Sequence, residues 1–237
     1  MYRLGLLQCD VVPDHLRDRF ADYPVMFATA FKNAGVDVQW QVYNLLDGET
    51  PENLSEVDGY ITTGARAGVY DGLDWYNNLV EVIRAINRVE IPLVGICFGH
   101  QAIADALGGQ VQVSDKGWGI GVRQYEIAAN PDWMSPECEQ FSVPVCHQDQ
   151  VITLPKGSEL LASNDHCENF LVQFTPSSLG FQGHPEFTVD YVDTLINLRQ
   201  EILPKQIAES AKSSLGTPHD NDMIIRWIAK FLRVGMH

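Results

Sequence analysis

The chain reads as an α/β protein: a mainly parallel central sheet with helices on both faces and an antiparallel extension. Three observations predict it. In the first half, short apolar runs alternate with helical patterns, which implies βαβ units. In the second half, short strand-like runs follow one another with turn-forming residues between them. The tail then returns to helix. No internal repeat, low-complexity segment or linker interrupts the 237 residues, and residues 1–237 are read as one domain.

Tyr2–Gln8 is an apolar run with the character of a buried strand. Phe20–Ala34 has helical periodicity and stops at Gly35, a residue suited to a helix C-terminus. Val36–Tyr43 alternates and reads as a second strand. Gly59–Thr63, after the acidic stretch Glu52–Asp58, is a third. Trp75–Val89 is amphipathic and helical. Ile91–Ile96 is a short apolar strand, and Phe98–Leu107 a helix closed by Gly108-Gly109. Right-handed crossovers place such helices on both faces of a parallel sheet. Strand-like runs follow at Val111–Val113, Val122–Ala128, Ser142–Val145, Val151–Thr153, Glu159–Ala162, Phe170–Phe174 and Leu179–Gln182. Asn130-Pro131-Asp132 and Pro155-Lys156-Gly157 punctuate them as turns. Helical patterns at Val189–Ser210 and Asp222–Leu232 complete the chain, with the polar turn Ser213–Asp220 between them.

Composition excludes several functions. The formal net charge is −15, from 31 acidic and 16 basic residues. Such a surface repels phosphate backbones and anionic headgroups, and no dense Lys/Arg run offsets it, so neither nucleic acid nor a membrane is an expected partner. No apolar run reaches the ~18 residues of a membrane span. The first ten residues lack the pattern of an export signal. The five cysteines, Cys9, Cys97, Cys138, Cys146 and Cys167, include no Cys-x-x-Cys pair. They are read as reduced thiols in a cytoplasmic protein, without ligand spacing for a metal. No phosphate-binding loop of the Walker type appears, and no cofactor is expected.

The chemistry concentrates at Leu93-Val-Gly-Ile-Cys-Phe-Gly-His-Gln-Ala. Cys97 stands between an apolar strand and a helix, bracketed by Gly95 and Gly99. The small neighbours allow a sharp turn and close approach to a ligand, which is the logic of a nucleophile elbow. The helix N-terminus favours thiolate over thiol, and the Phe98 amide is free to meet an oxyanion. The other four cysteines lack the glycine bracket and are read as packing residues. A cysteine nucleophile needs a base and a group to orient that base. Gly180-Phe-Gln-Gly-His-Pro-Glu-Phe supplies both: His184 follows a strand, and Glu186 lies two positions on, within reach of the imidazole.

Gly95-Ile-Cys-Phe-Gly-His-Gln, taken with Gly183-His-Pro-Glu, resembles the signature of class I, triad-type glutamine amidotransferases. The resemblance runs from the first strand to the tail helices. It is strongest to the amidotransferase part of GMP synthase and its stand-alone relatives, γ-glutamyl peptidases among them. It implies a flavodoxin-like α/β fold and a Cys97–His184–Glu186 triad. The cysteine would attack a γ-glutamyl amide to give ammonia or an amine and a thioester, which water then hydrolyses. The substrate would be glutamine or another γ-glutamyl compound.

Further positions match singly. Ile61-Thr-Thr-Gly-Ala-Arg-Ala-Gly-Val-Tyr resembles the loop that gives the second oxyanion-hole donor. The family's usual form is Gly-Gly-Pro; here it is Gly64-Ala65-Arg66, so the donor would be the Ala65 amide. Gln101 matches a position that contacts the bound glutamine, though it also reads as a polar residue of the first helical turn. Cys146-His-Gln-Asp-Gln-Val resembles a segment lining the substrate pocket; His147 or Asp149 could bind the α-amino end or serve a turn. Lys116-Gly-Trp resembles a segment of the stand-alone relatives and carries no role of its own. The ATP pyrophosphatase domain of GMP synthase has no counterpart in the sequence. The expectation is that the chain either hydrolyses its substrate unaided or hands ammonia to a separate synthetase subunit. The contrasting reading is a catalytically silent binding or regulatory protein on the same fold.

Overall fold

A computed structural model describes residues 2–234. The first half builds β1 (Arg3–Gln8), α1 (Asp14–Phe20), α2 (Tyr23–Asn33), β2 (Gln39–Asn44), β3 (Gly59–Thr62), α3 (Asp74–Arg88), β4 (Leu93–Ile96) and α4 (Phe98–Ala106). The second half adds β5 (Gln110–Val113), β6 (Gly119–Ile127), β7 (Gln140–His147), β8 (Asp149–Thr153), β9 (Glu159–Ser163), β10 (Leu171–Thr175) and β11 (Ser178–Phe181). The chain then turns to α5 (Val189–Leu198), α6 (Lys205–Ser214) and α7 (Asn221–Phe231).

Nine strands form one sheet in the order β2-β1-β3-β4-β11-β10-β9-β6-β7. The pairs β2/β1, β1/β3, β3/β4 and β4/β11 are parallel, and every pair from β11 to β7 is antiparallel. β5 and β8 pair separately as an antiparallel ribbon. The sheet therefore has the mainly parallel centre and the antiparallel extension that the two halves of the sequence foretell. Its central strands are continuously apolar because both faces are covered: β3 and β4 are buried at every position. One core includes α2, α5 and α7, with Phe27, Tyr191 and Trp227 among its residues. The other lies under α3 and α4 and holds Leu79, Ile83 and Ile103.

Beyond shifts of two or three residues at the ends of elements such as β6 and β7, the main differences from the sequence reading are these. α1 has no counterpart there: it has seven residues and buries only Leu16, too little apolar periodicity to register. The second strand begins at Gln39 rather than Val36, where pairing with Arg3 of β1 starts. The long tail helix is two helices. α5 ends at Leu198, and Pro204 caps the start of α6 at Lys205, with Leu203 before it driven out of the helical region.

Candidate active site

In an open α/β sheet, ligands gather beyond the carboxyl ends of the parallel strands. Four such ends meet here: β1 leads to Asp10, β3 to Gly64, β4 to Cys97 and β11 to His184. The β4/β11 register pairs Ile96 with Phe181, so the two motifs emerge side by side. They are tied by the Cys97 amide donating to the Phe181 carbonyl at 2.8 Å.

Cys97 occupies φ 51°, ψ −101°, a strained conformation for a residue with a side chain. The bracket explains how the chain tolerates it. A Cβ on Gly95 would strike the backbone of Gly99, and one on Gly99 would strike Thr62 Oγ1. Only glycines let the elbow fold this tightly against β3. Phe98 opens α4, so its amide is one of the first-turn donors without an intrahelical acceptor. Its ring turns inward against Trp75 and Tyr76.

His184 is held by its amide, which donates to the Pro144 carbonyl at 2.8 Å. Its Nδ1 lies 2.7 Å from Glu186 Oε1, and its ring stacks on Phe187 at 3.9 Å between centroids. The Cys97 side chain lies on the ring's far side from Glu186, across Gly64, and its charge acts on the imidazole. With Nδ1–H donating to the carboxylate, Nε2 is left for the sulfur. Cys97, His184 and Glu186 are 6%, 3% and 5% exposed. Burial alone would lower the His184 pKa. The Glu186 carboxylate and the Cys97 side chain override it and raise the imidazole to about 10. Gln182 Nε2 also points at Cys97 Sγ, at 3.5 Å.

Burial pushes Cys146 up to about 11 and Cys167 up to about 12, and it raises Cys9 and Cys138 as well. At neutral pH those four stay protonated, which makes them poor nucleophiles.

Gly64 packs against the centre of the site: a Cβ there would lie 2.8 Å from His184 Cε1 and 3.6 Å from Cys97 Cβ. Ala65 follows it and, with Cys97 and His184, lines a cavity. It is not among the residues with positive φ, so the alanine in place of the usual second glycine is accommodated without strain. The loop is pinned at both ends. Thr63 Oγ1 accepts from the Cys9 amide at 2.9 Å and donates to the Gly64 carbonyl at 2.9 Å. Arg66 is clamped by Asp10, a pair no sequence pattern announces.

The cavity holds about 490 Å³ and brings together Cys97, His184, Ala65, Gln101, His147 and Asp149. Gln101 spends its amide internally: Nε2 donates to the Asp149 carbonyl at 2.9 Å and to Gln182 Oε1 at 3.2 Å. His147 is buried, and burial with the neighbouring His166 lowers it to about 3, so the ring is neutral and carries no charge toward a ligand. Its Nδ1 lies 3.2 Å from the Asp149 carbonyl. Asp149 Oδ2 accepts from the Tyr70 hydroxyl at 2.6 Å. Among the described residues, no three His, Cys, Asp or Glu side chains converge to hold a metal ion, and no helix is long and apolar enough to cross a membrane.

Residues 16–197 match the family model "Glutamine amidotransferase class-I". The chain therefore belongs to the class I glutamine amidotransferase family. It is 27% identical over 241 residues to gamma-glutamyl peptidase 3 of Arabidopsis thaliana, a match that covers 97% of this chain and 94% of that protein. It is 37% identical over 102 residues to a glutamine-hydrolyzing GMP synthase subunit of Methanosarcina acetivorans, covering 43% of this chain and 53% of that one. A glutamine amidotransferase of Thermotoga maritima has the same fold, with a TM-score of 0.75 at 20% identity over 98% of both chains.

Proposed function

We propose that the chain is a cysteine hydrolase of γ-glutamyl amides, with Cys97 as nucleophile, His184 as general acid–base and Glu186 as the group that orients it. One observation carries this reading. The strained elbow cysteine and an imidazole bound through Nδ1 to a buried carboxylate both line one cavity large enough for a small molecule.

Cys97 Sγ attacks the γ-carbonyl carbon, and the proton of the Cys97–His184 pair stays on the imidazole. The amides of Ala65 and Phe98 donate to the oxyanion. The C–N bond breaks as His184 gives its proton to the departing nitrogen. Water, deprotonated by His184, then attacks the thioester; the C–S bond breaks and glutamate leaves. Asp149 and Gln101 border the place of the γ-glutamyl α-amino end, with Gln101 acting through the bonds that fix Asp149 and Gln182. His147, being neutral, shapes the wall.

Within this class, γ-glutamyl peptide hydrolysis by the isolated chain is the better-supported form. The peptidase match covers 97% of this chain, while two matches to GMP synthase subunits cover 43% and 70% of it. The second form, delivery of ammonia to a separate synthetase subunit, is favoured by the higher identity within the shorter of those two. Five free thiols suit a reducing compartment such as the cytoplasm.

The test incubates purified protein with glutamine and, separately, with γ-glutamyl dipeptides, and measures ammonia, amine and glutamate. Mass spectrometry of the acid-quenched protein looks for a γ-glutamyl adduct on Cys97. Amine release with that adduct is expected. Inertness toward every γ-glutamyl compound would refute autonomous hydrolysis, and activity appearing only with a synthetase would establish the second form.

A further inference from the structure

The cavity has a part that the γ-glutamyl group does not explain. Phe187, stacked on His184, meets Tyr191 edge-on at 4.7 Å. Tyr191 begins a stripe along α5. Tyr191, Leu195 and Leu198 recur at helical spacing, all three line the cavity, and Leu198 is 53% exposed. Arg199 closes the stripe at the helix end, with its guanidinium 5.5 Å above the Trp118 ring.

Charge in the cavity is unevenly used. Arg66 is neutralised by both oxygens of Asp10. Asp149 and Asp71 belong to the other part: Tyr70 bonds Asp149, and the Gly68 amide bonds Asp71. Among the described residues, Arg199 has no ion-pair partner, and its side chain's one polar bond is to the Leu195 carbonyl, at 3.3 Å. In a chain of net charge −15, a guanidinium left unpaired on a cavity wall, stacked on a tryptophan, is held for an anion from outside.

We infer that this wall binds the leaving amine. The preferred substrates are γ-glutamyl peptides whose leaving group is an apolar amino acid or short peptide with a free C-terminal carboxylate, which Arg199 receives. This rests on the triad reading. The proton His184 takes up must reach the departing nitrogen, so that nitrogen lies beside His184. Whatever is attached to it extends along Phe187 and Tyr191 toward the apolar stripe. Ammonia from glutamine would leave the stripe and Arg199 empty; an apolar residue covers the stripe and places its carboxylate near the guanidinium. The Lys116-Gly-Trp segment then acquires a function: the turn at Gly117, with φ 72°, presents Trp118 as the plane on which Arg199 rests.

The test compares γ-glutamyl-phenylalanine with its C-terminal amide, and γ-glutamyl-phenylalanyl-glycine with its amide, in wild type and Arg199→Gln. The readout is the acid-to-amide ratio of kcat/KM within each protein, so a general loss of activity cancels. Wild type is expected to prefer the acid by about tenfold at one or both lengths, the low end for a charge-assisted bond at a half-exposed site. Arg199→Gln should bring that ratio close to one, and Arg199→Lys should keep part of it. A wild-type ratio near one, or a preference that survives in Arg199→Gln, overturns the inference while leaving the triad reading intact. Wild type inert toward all four compounds, glutamine and γ-glutamyl anilide refutes autonomous hydrolysis, and this inference with it.

Discussion

Asp10 and Arg66, from the ends of β1 and β3, are joined by three bonds to one carboxylate: the Arg66 amide at 2.9 Å, Nε at 2.8 Å and Nη2 at 2.7 Å. The carboxylate thus holds both the side chain and the backbone of the residue after Ala65. A bidentate pair fixes orientation as well as distance, and the amide proposed to meet the oxyanion is the one immediately before the clamp.

Asp10→Asn keeps the size of the side chain and loses its charge and half its accepting capacity. The expected result is a fall in kcat of about tenfold with KM little changed, since a misplaced oxyanion donor weakens only the transition state. Steady-state kinetics on one γ-glutamyl dipeptide decide it. A rise in KM at constant kcat would show instead that the clamp shapes substrate binding.

Cys97→Ala is expected to lower kcat at least ~10⁴-fold with the fold retained. Alanine at Cys9, Cys138, Cys146 or Cys167 should leave turnover in place in each variant that folds. Circular dichroism and dipeptide hydrolysis, measured together, check both statements. Full activity in Cys97→Ala would end its assignment as nucleophile.

Glu186→Gln should cost less activity than His184→Ala, by about 10–100-fold, because in the proposed mechanism Glu186 orients the base and does not transfer the proton. The substitution also changes how stability depends on pH. His184 has a folded pKa of about 10, above its ordinary value of 6.5. A raised pKa stabilises fully below the unfolded value, and that stability is lost as pH climbs through the folded one. In Glu186→Gln, burial is no longer opposed by the carboxylate, and the imidazole loses this contribution. The stability gap between wild type and Glu186→Gln should therefore be widest near pH 6 and narrow toward pH 10. Urea unfolding at several pH values measures it, and a gap that widens with rising pH would contradict the assignment.

Much of the architecture is legible because it is written locally. The elbow announces itself through Gly95, Cys97 and Gly99, since glycine is needed where backbones nearly touch. β3 and β4 announce themselves as unbroken apolar runs. The His184–Glu186 pair is legible because two positions separate the partners. What escapes a sequence reading depends on contacts distant in the chain. Asp10 is one acidic residue among many until the parallel sheet sets it beside Arg66. Gln182 sits inside a recognised motif, but only the β4/β11 register turns its amide toward Cys97. Gln101 illustrates the reverse case: its position beside the cavity follows from the motif, while the bonds that occupy its amide do not. Arg199 is hidden in a helix drawn too long, whose true end is set by the turn leading to Pro204.

The register between β4 and β11 has a consequence for biosynthesis. The strand leading to Cys97 is complete early in the chain, but His184 arrives on a strand that needs the β10–β11 hairpin to dock, and Gln182 reaches Cys97 across 85 positions. Contacts so distant in sequence close late, since their loop entropy must be met before they return anything. A ribosome-bound chain that has made β1 to β4 carries an exposed thiol with no imidazole beside it. On the proposed mechanism, catalytic competence switches on only when the last strand enters the sheet, and a truncated or half-folded molecule would leave γ-glutamyl compounds untouched.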